Sequence, residues 1–230
     1  MENHLLLVLL LLPTIISILI VVLPTTDKRV IRWTAFIGSL LPLILGLFLW
    51  FNFNRTLTGF QFESVYHWFP VIGSSFHFGV DGISLPMVLL TVLLTPLAIL
   101  ASFGVNDQVK AFMALFLFLE TGVLGVFISL DLLVFFLFWE IGLIPMYFLI
   151  HHWGSANRNY ASLKFILMTM AGSLGLLLSI QIIGVTIGSF DLVKIAEGWP
   201  ALAEANFQKM IPLGLSLKTL KTIAFWAFVL

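Results

Sequence analysis

The chain has 230 residues, 60% of them hydrophobic and 10% charged, and its 11 basic and 11 acidic side chains leave a formal net charge of zero. Its mean hydropathy of +1.12 excludes an ordinary soluble domain. Neutrality speaks against a nucleic-acid partner, and the lack of cysteine excludes disulfides and thiolate metal sites.

A membrane span needs about 20 mostly apolar residues. The first such stretch covers 4–23 and lacks the basic flank and small-residue cleavage site of a secretory signal. A polar turn over 24–32 leads to a second span over 31–51. A long interruption follows, over 52–84. Phe76, His77, Phe78, Gly79 and Val80 alternate like a strand, and Gly73, Gly79 and Gly82 supply turn positions. That predicts a short β-hairpin outside the membrane. Asp81 and Ser84 offer oxygens to cap the third span, 84–103, and Pro86 falls in its first turn, where a missing N–H costs nothing.

After a loop over 104–110 come spans four (111–129), five (132–150) and six (161–188). Residues 192, 195, 196 and 199 are apolar on one helical face, which suits an amphipathic helix on the membrane surface; a solvated connector is the alternative. A seventh helix begins near Lys218, and the apolar part after it is about half a span, as in the front part of a longer chain. The expected fold is all-α: a polytopic transmembrane helix bundle with six full spans and the start of a seventh. Residues 1–110 hold helices one to three with the hairpin, and 111–230 hold helices four to six and the start of the seventh. Lys28, Arg29, Arg32 and Arg158 put two loops in the cytoplasm and the N-terminus outside, against Lys194, Lys209, Lys218 and Lys221 on the other side.

A charge at the centre of a membrane helix costs about 2.5–3.5 kcal/mol on insertion scales, so intramembrane carboxylates point to proton or ion handling. Glu120 and Glu140 each lie about ten residues from the turn at 129–131, about 15 Å along their helices. Both should therefore sit at one depth near the midplane. Pro145 leaves the Ile141 carbonyl without its helical hydrogen bond, a helix break that would make a polar pocket beside Glu140. A fixed interhelix hydrogen bond is the plainer role for Glu140. Asp131 suits the N-cap of helix five. Lys164 is either a snorkelling anchor or part of a cytoplasmic half-channel. His151 and His152 point about 100° apart, poor for chelation, and with Trp153 suit an interfacial belt. Ala171, Gly175 and Ser179, then Gly184 and Gly188, give helix six a close-packing face. No phosphate loop, nucleophile constellation, haem pattern or zinc pattern stands out, so no cofactor or metal is expected.

The stretches 78–85 (FGVDGISL), 119–127 (LETGVLGVF) and 131–150 (DLLVFFLFWEIGLIPMYFLI) resemble one family. It is the NuoM/NdhD type, the antiporter-like proton-pumping membrane subunit of respiratory complex I, also called NADH–quinone oxidoreductase chain M or chain 4. The resemblance is strongest from 78 to 180. It implies an inverted-repeat fold, of which this chain would be a truncated, N-terminal part. It implies that Glu140 is the helix-five glutamate that pairs with a lysine on a broken seventh helix, and that Glu120 is a second acidic position. The family's lysines on helices seven and eight find no convincing match in Lys218 or Lys221. Implied partners are the other membrane-arm and redox-arm subunits and the lipid bilayer of a bacterial plasma or thylakoid membrane, with NADH or ferredoxin as electron donor elsewhere in the complex. An Mrp-type cation/proton antiporter subunit, a membrane-bound hydrogenase subunit and a non-transporting scaffold are the alternatives.

Overall fold

The computed structural model describes residues 4–204 and 217–229, with side chains over 4–198 and 219–229. Among the described residues, six helices are long and apolar enough to cross a membrane. They are α1 (Leu5–Val22), α2 (Lys28–Asn52), α3 (Ser84–Ala101), α4 (Val109–Ile128), α5 (Leu132–Trp153) and α6 (Arg158–Ile187). The shorter α7 (Leu192–Glu204) and α8 (Leu217–Val229) follow. The hairpin pairs β1 (Gln61–Phe69) with β2 (Ser74–Val80), antiparallel. A 3-10 turn over Pro70–Ile72 and Gly73 at φ 71° join the strands. The expected polytopic bundle is therefore present, with its hairpin.

Two helices start earlier than their apolar runs. Asp27 caps α2 by accepting the Arg29 N–H at 2.8 Å, which draws Lys28 and Arg29 into the first turn. The expected start at 161 for span six moves to Arg158, and α6 runs 30 residues, about 45 Å. Asp81 takes the Ser84 and Ile83 N–H groups at 2.7 and 3.0 Å, and its own N–H donates to Ser84 Oγ at 2.9 Å. Burial opposes its charge, but the hydrogen bonds from Ser84 and Ile83 outweigh that and hold its carboxyl below the usual range.

The centre of the bundle is α4, which packs on α1, α2, α3 and α5 and is the most buried span. Two apolar clusters stack along it. Leu6, Leu10, Phe78, Val92, Leu124 and Phe138 belong to the cluster at the hairpin end. Ile16, Ile31, Ile99, Met113 and Leu117 belong to the one at the other end. A polar layer separates them. In it the Thr14 and Thr121 hydroxyls pair at 2.7 Å. Within the second cluster, Ser17 donates to the Ala114 carbonyl at 2.7 Å. Away from the hairpin, Arg32 donates to the Val105 carbonyl at 2.7 Å and Lys110 to the Leu23 carbonyl at 2.6 Å. These bonds tie the α1–α2 turn to the α3–α4 loop.

The small-residue face of α6 receives α8. A Cβ at Gly175 would lie 2.6 Å from the Ala227 carbonyl oxygen, and Ser179 Oγ donates to the Ala224 carbonyl at 2.7 Å. The apolar face expected over 191–204 falls on a helix, α7, though Trp199 lies outside the described side chains.

Candidate functional site

Packing between α4 and α5 decides where the two membrane carboxylates point. A Cβ on Gly122 would lie 2.9 Å from the Gly142 Cα, and the Phe138 ring fills the space left by Gly125. Gly122 and Phe138 thus mark the facing sides of the helix pair. Glu120 precedes Gly122 by two residues, and Glu140 follows Phe138 by two. Two residues turn a helix by about 200°. Each carboxylate is therefore directed away from the partner helix, and the two do not face each other.

The same contact sets their depth. Gly122 and Gly142 share a level, and the helices are antiparallel. Glu120 lies two residues farther from the 129–131 turn than Gly122, and Glu140 two residues nearer to it than Gly142. Their levels differ by about 6 Å, roughly one helical turn. The expected common depth is corrected to a stagger, because equal residue counts from a turn fix equal depth only when the helices meet without offset.

Glu120 belongs to the polar layer. It is 2% exposed, and neither oxygen has a hydrogen-bond partner among the described residues. The Thr95 hydroxyl of α3 is turned toward it but donates its proton to the Thr91 carbonyl at 3.0 Å. An ionised carboxylate in such a place is costly unless a donor or cation reaches it.

Glu140 lies in a different setting. It lines an open cleft of about 580 Å³ between the hairpin tip, α5 and α6. Trp68, Phe69 and Ile72 form one wall, and Ile166 and Met170 another; among the described residues, Glu140 is the one ionisable group in the lining. Its Oε1 is buried without a partner among the described residues.

Pro145 corrects an expectation. The helix runs without a break from Leu132 to Trp153. Pro13, Pro42 and Pro96 sit inside α1, α2 and α3 in the same way. One missing N–H is tolerated where the remaining ladder and the packing hold the helix. Pro145 itself is buried seven residues after Phe138, on the face toward α4, while Ile141, whose carbonyl it leaves without a helical partner, lines the Glu140 cleft.

Lys164 is exposed in the second turn of α6, with its ammonium 5.7 Å from the Tyr160 ring centre. Counting from the α5–α6 loop, it lies about 11 Å in depth from Glu140. It is not among the residues of the cleft. At the same end, Trp153 Nε1 donates to the Asp107 carbonyl at 2.9 Å, and its ring meets Phe112 edge-on. His151 Nδ1 is 3.2 Å from Ser162 Oγ. These contacts suit the interfacial belt.

A second polar centre, at the hairpin end, was not visible in the sequence reading. His77 is 5% exposed. Its Nδ1 is 2.8 Å from Asp191 Oδ2, and its Nε2 is 3.0 Å from Glu63 Oε2. Asp131, 0% exposed, caps α5 as expected by taking the Leu133 and Val134 N–H groups. It also accepts from Ser74 Oγ and the Ser75 N–H. Backbone bonds stitch the pieces together: Leu130 N–H to the His77 carbonyl at 2.8 Å, and Leu192 N–H to the Leu130 carbonyl at 2.8 Å. Asp131 and Asp191 face each other across an antiparallel bridge. The signal was present as a short repeat. Ser129-Leu130-Asp131-Leu132 and Ser189-Phe190-Asp191-Leu192 share one pattern, each just ahead of a helix.

Comparison with known proteins shows the family of the chain. Residues 7–130 match the family model for the amino terminus of NADH–ubiquinone oxidoreductase chain 4. Residues 129–229 match the membrane-region model of NADH:quinone oxidoreductases and Mrp antiporters. The chain is 39% identical over 190 residues to NAD(P)H-quinone oxidoreductase chain 4 3 of Picosynechococcus sp., covering 81% of this chain and 34% of that protein. It is 42% identical over 173 residues to NADH-quinone oxidoreductase subunit M of Rickettsia bellii, covering 74% and 35%. A chain of respiratory complex I from Thermus thermophilus, solved with bound NADH, superposes with TM-score 0.71 at 27% identity, covering 84% of this chain and 39% of that one. The chain thus spans about a third of the length of the curated relatives it matches.

Proposed function

The chain belongs to the NADH–ubiquinone oxidoreductase chain 4 family, and we propose that it forms part of a membrane subunit that carries protons, driven by quinone reduction in other subunits of the same complex. The observation that carries this reading is Glu140, a carboxylate with a buried, unpartnered oxygen at the edge of an otherwise apolar membrane cleft. Such a group handles a proton by taking and losing it as a cation or donor approaches and withdraws. A lysine brought to the cleft would act as that cation. Glu120 is a second station, in the polar layer about one helical turn away in depth. Lys164 serves as an interfacial anchor, since its level and exposure keep it from Glu140.

The basic residues at the end away from the hairpin place that end in the cytoplasm and the hairpin outside. The membrane is a bacterial plasma or thylakoid membrane. The partners are the other membrane-arm and redox-arm subunits, and electrons come from NADH or ferredoxin outside this chain. A second reading is a cation/proton antiporter subunit without a redox partner, favoured by the family model shared with Mrp antiporters over 129–229.

The test is Glu140→Gln in the complex purified from its source membrane and reconstituted in vesicles. Quinone-linked proton uptake should vanish while the complex still assembles. Normal uptake by the variant would overturn the role of Glu140. Proton exchange driven by a cation gradient, with no response to quinone reduction, would favour the antiporter reading instead.

A further inference from the structure

His77 takes no part in the relay around Glu140, yet it is the most completely enclosed histidine in the described chain. Its two ring nitrogens both face carboxylate oxygens, at 2.8 Å and 3.0 Å. A neutral imidazole offers one N–H and one acceptor. An ionised carboxylate only accepts. A neutral ring can therefore bond one of the two carboxylates and must oppose the other. One added proton removes the conflict, because an imidazolium donates from both nitrogens.

The three groups come from three pieces of chain. Glu63 is on β1, His77 on β2, and Asp191 stands directly before α7. Asp191 spends its other oxygen on α7, accepting from the Val193 and Lys194 N–H groups at 2.9 and 3.1 Å. The proton that satisfies His77 thus ties the hairpin to the start of α7. Glu63 is the wet end: its side chain is 45% exposed, against 7% for His77 and 12% for Asp191. The other charged groups nearby are Asp131 and Lys194. Asp131 is taken up by Ser74, Ser75 and its own helix, and Lys194 is exposed.

We propose that Glu63, His77 and Asp191 form a proton-binding latch: one proton, entering from water at Glu63, clamps both hairpin strands to the start of α7, and its loss leaves the ring bonded to one carboxylate and opposed by the other, which loosens the clamp. No atom other than the proton moves between partners. It leaves to water, one hydrogen bond breaks, and the cluster becomes more negative by one charge. The latch rests on its own geometry and stands or falls apart from the Glu140 relay.

The test is amide hydrogen exchange at Val193 and Lys194 in this chain held in lipid nanodiscs, corrected for intrinsic rates, from about pH 6 to about pH 9. Histidine loses its proton as pH rises, so protection should fall about tenfold or more across that range. In Glu63→Gln the amide can donate to a neutral ring nitrogen, so the extra proton is no longer needed. That variant should stay protected at the alkaline end. His77→Gln should be poorly protected at every pH. Protection in the unaltered chain that does not change with pH would overturn the latch, as would a Glu63→Gln profile that falls like the unaltered one.

Discussion

Gly122 and Gly142 bring the backbones of α4 and α5 together so closely that a Cβ on Gly122 would lie 2.9 Å from the Gly142 Cα. The contact is one-sided, because a Cβ on Gly142 would meet nothing within 4 Å. Gly122→Ala should force the helices apart and cost about 1–3 kcal/mol, whereas Gly142→Ala should leave stability unchanged or raise it slightly. Thermal unfolding of the two variants in the same detergent checks this. Equal effects would mean that the crossing is not where the structure has it.

The position of Glu120 makes the opposite prediction about stability. Its oxygens are buried without partners among the described residues, so removing them should relieve the fold. Glu120→Leu should raise the unfolding free energy by about 1–3 kcal/mol. Glu120→Gln in the assembled complex should lower proton transport, by less than Glu140→Gln does. A stabilised Glu120→Leu variant with unchanged transport would leave the carboxylate without a functional role.

Asp131 is buried and accepts from Ser74, Ser75, Leu133 and Val134. Asp131→Ala strands several donors and should cost about 3 kcal/mol or more. Asp81→Ala, at a more open cap, should cost about 0.5–2 kcal/mol. Chemical unfolding of both variants would show the order, and a larger loss at Asp81 would contradict it.

Asp81 also carries a pH dependence. Its carboxyl is held below the ordinary value, so the folded form binds the proton less well than the unfolded form. The stabilisation is present above the unfolded value, about 3.9, and is lost as pH falls from there through the folded value. Asp81→Asn should flatten that acid-side slope in a stability–pH profile and change little near neutrality. An unchanged slope would assign it to other carboxylates.

The six spans were legible in the sequence because each is an apolar run of membrane length, and the hairpin because 76–80 alternates. Boundaries moved where a cap outside the apolar run, Asp27, started the helix early. Glu120 and Glu140 were legible as residues, since a charge in an apolar run stands out. Their directions and stagger were not, because these follow from the seating of Gly122 on Gly142 and of Phe138 on Gly125, contacts between separate helices. The His77 centre was missed for a related reason. Its partners lie 14 and 114 positions away in the chain, and only the fold brings Glu63 and Asp191 to one ring.

The most direct measurement is infrared difference spectroscopy of the complex during quinone reduction, with and without Glu140→Gln. A carboxyl C=O band that changes with turnover in the unaltered complex and is missing in the variant is the expected result. Identical carboxyl bands in both would mean that Glu140 keeps one protonation state throughout, and the relay would have to run elsewhere.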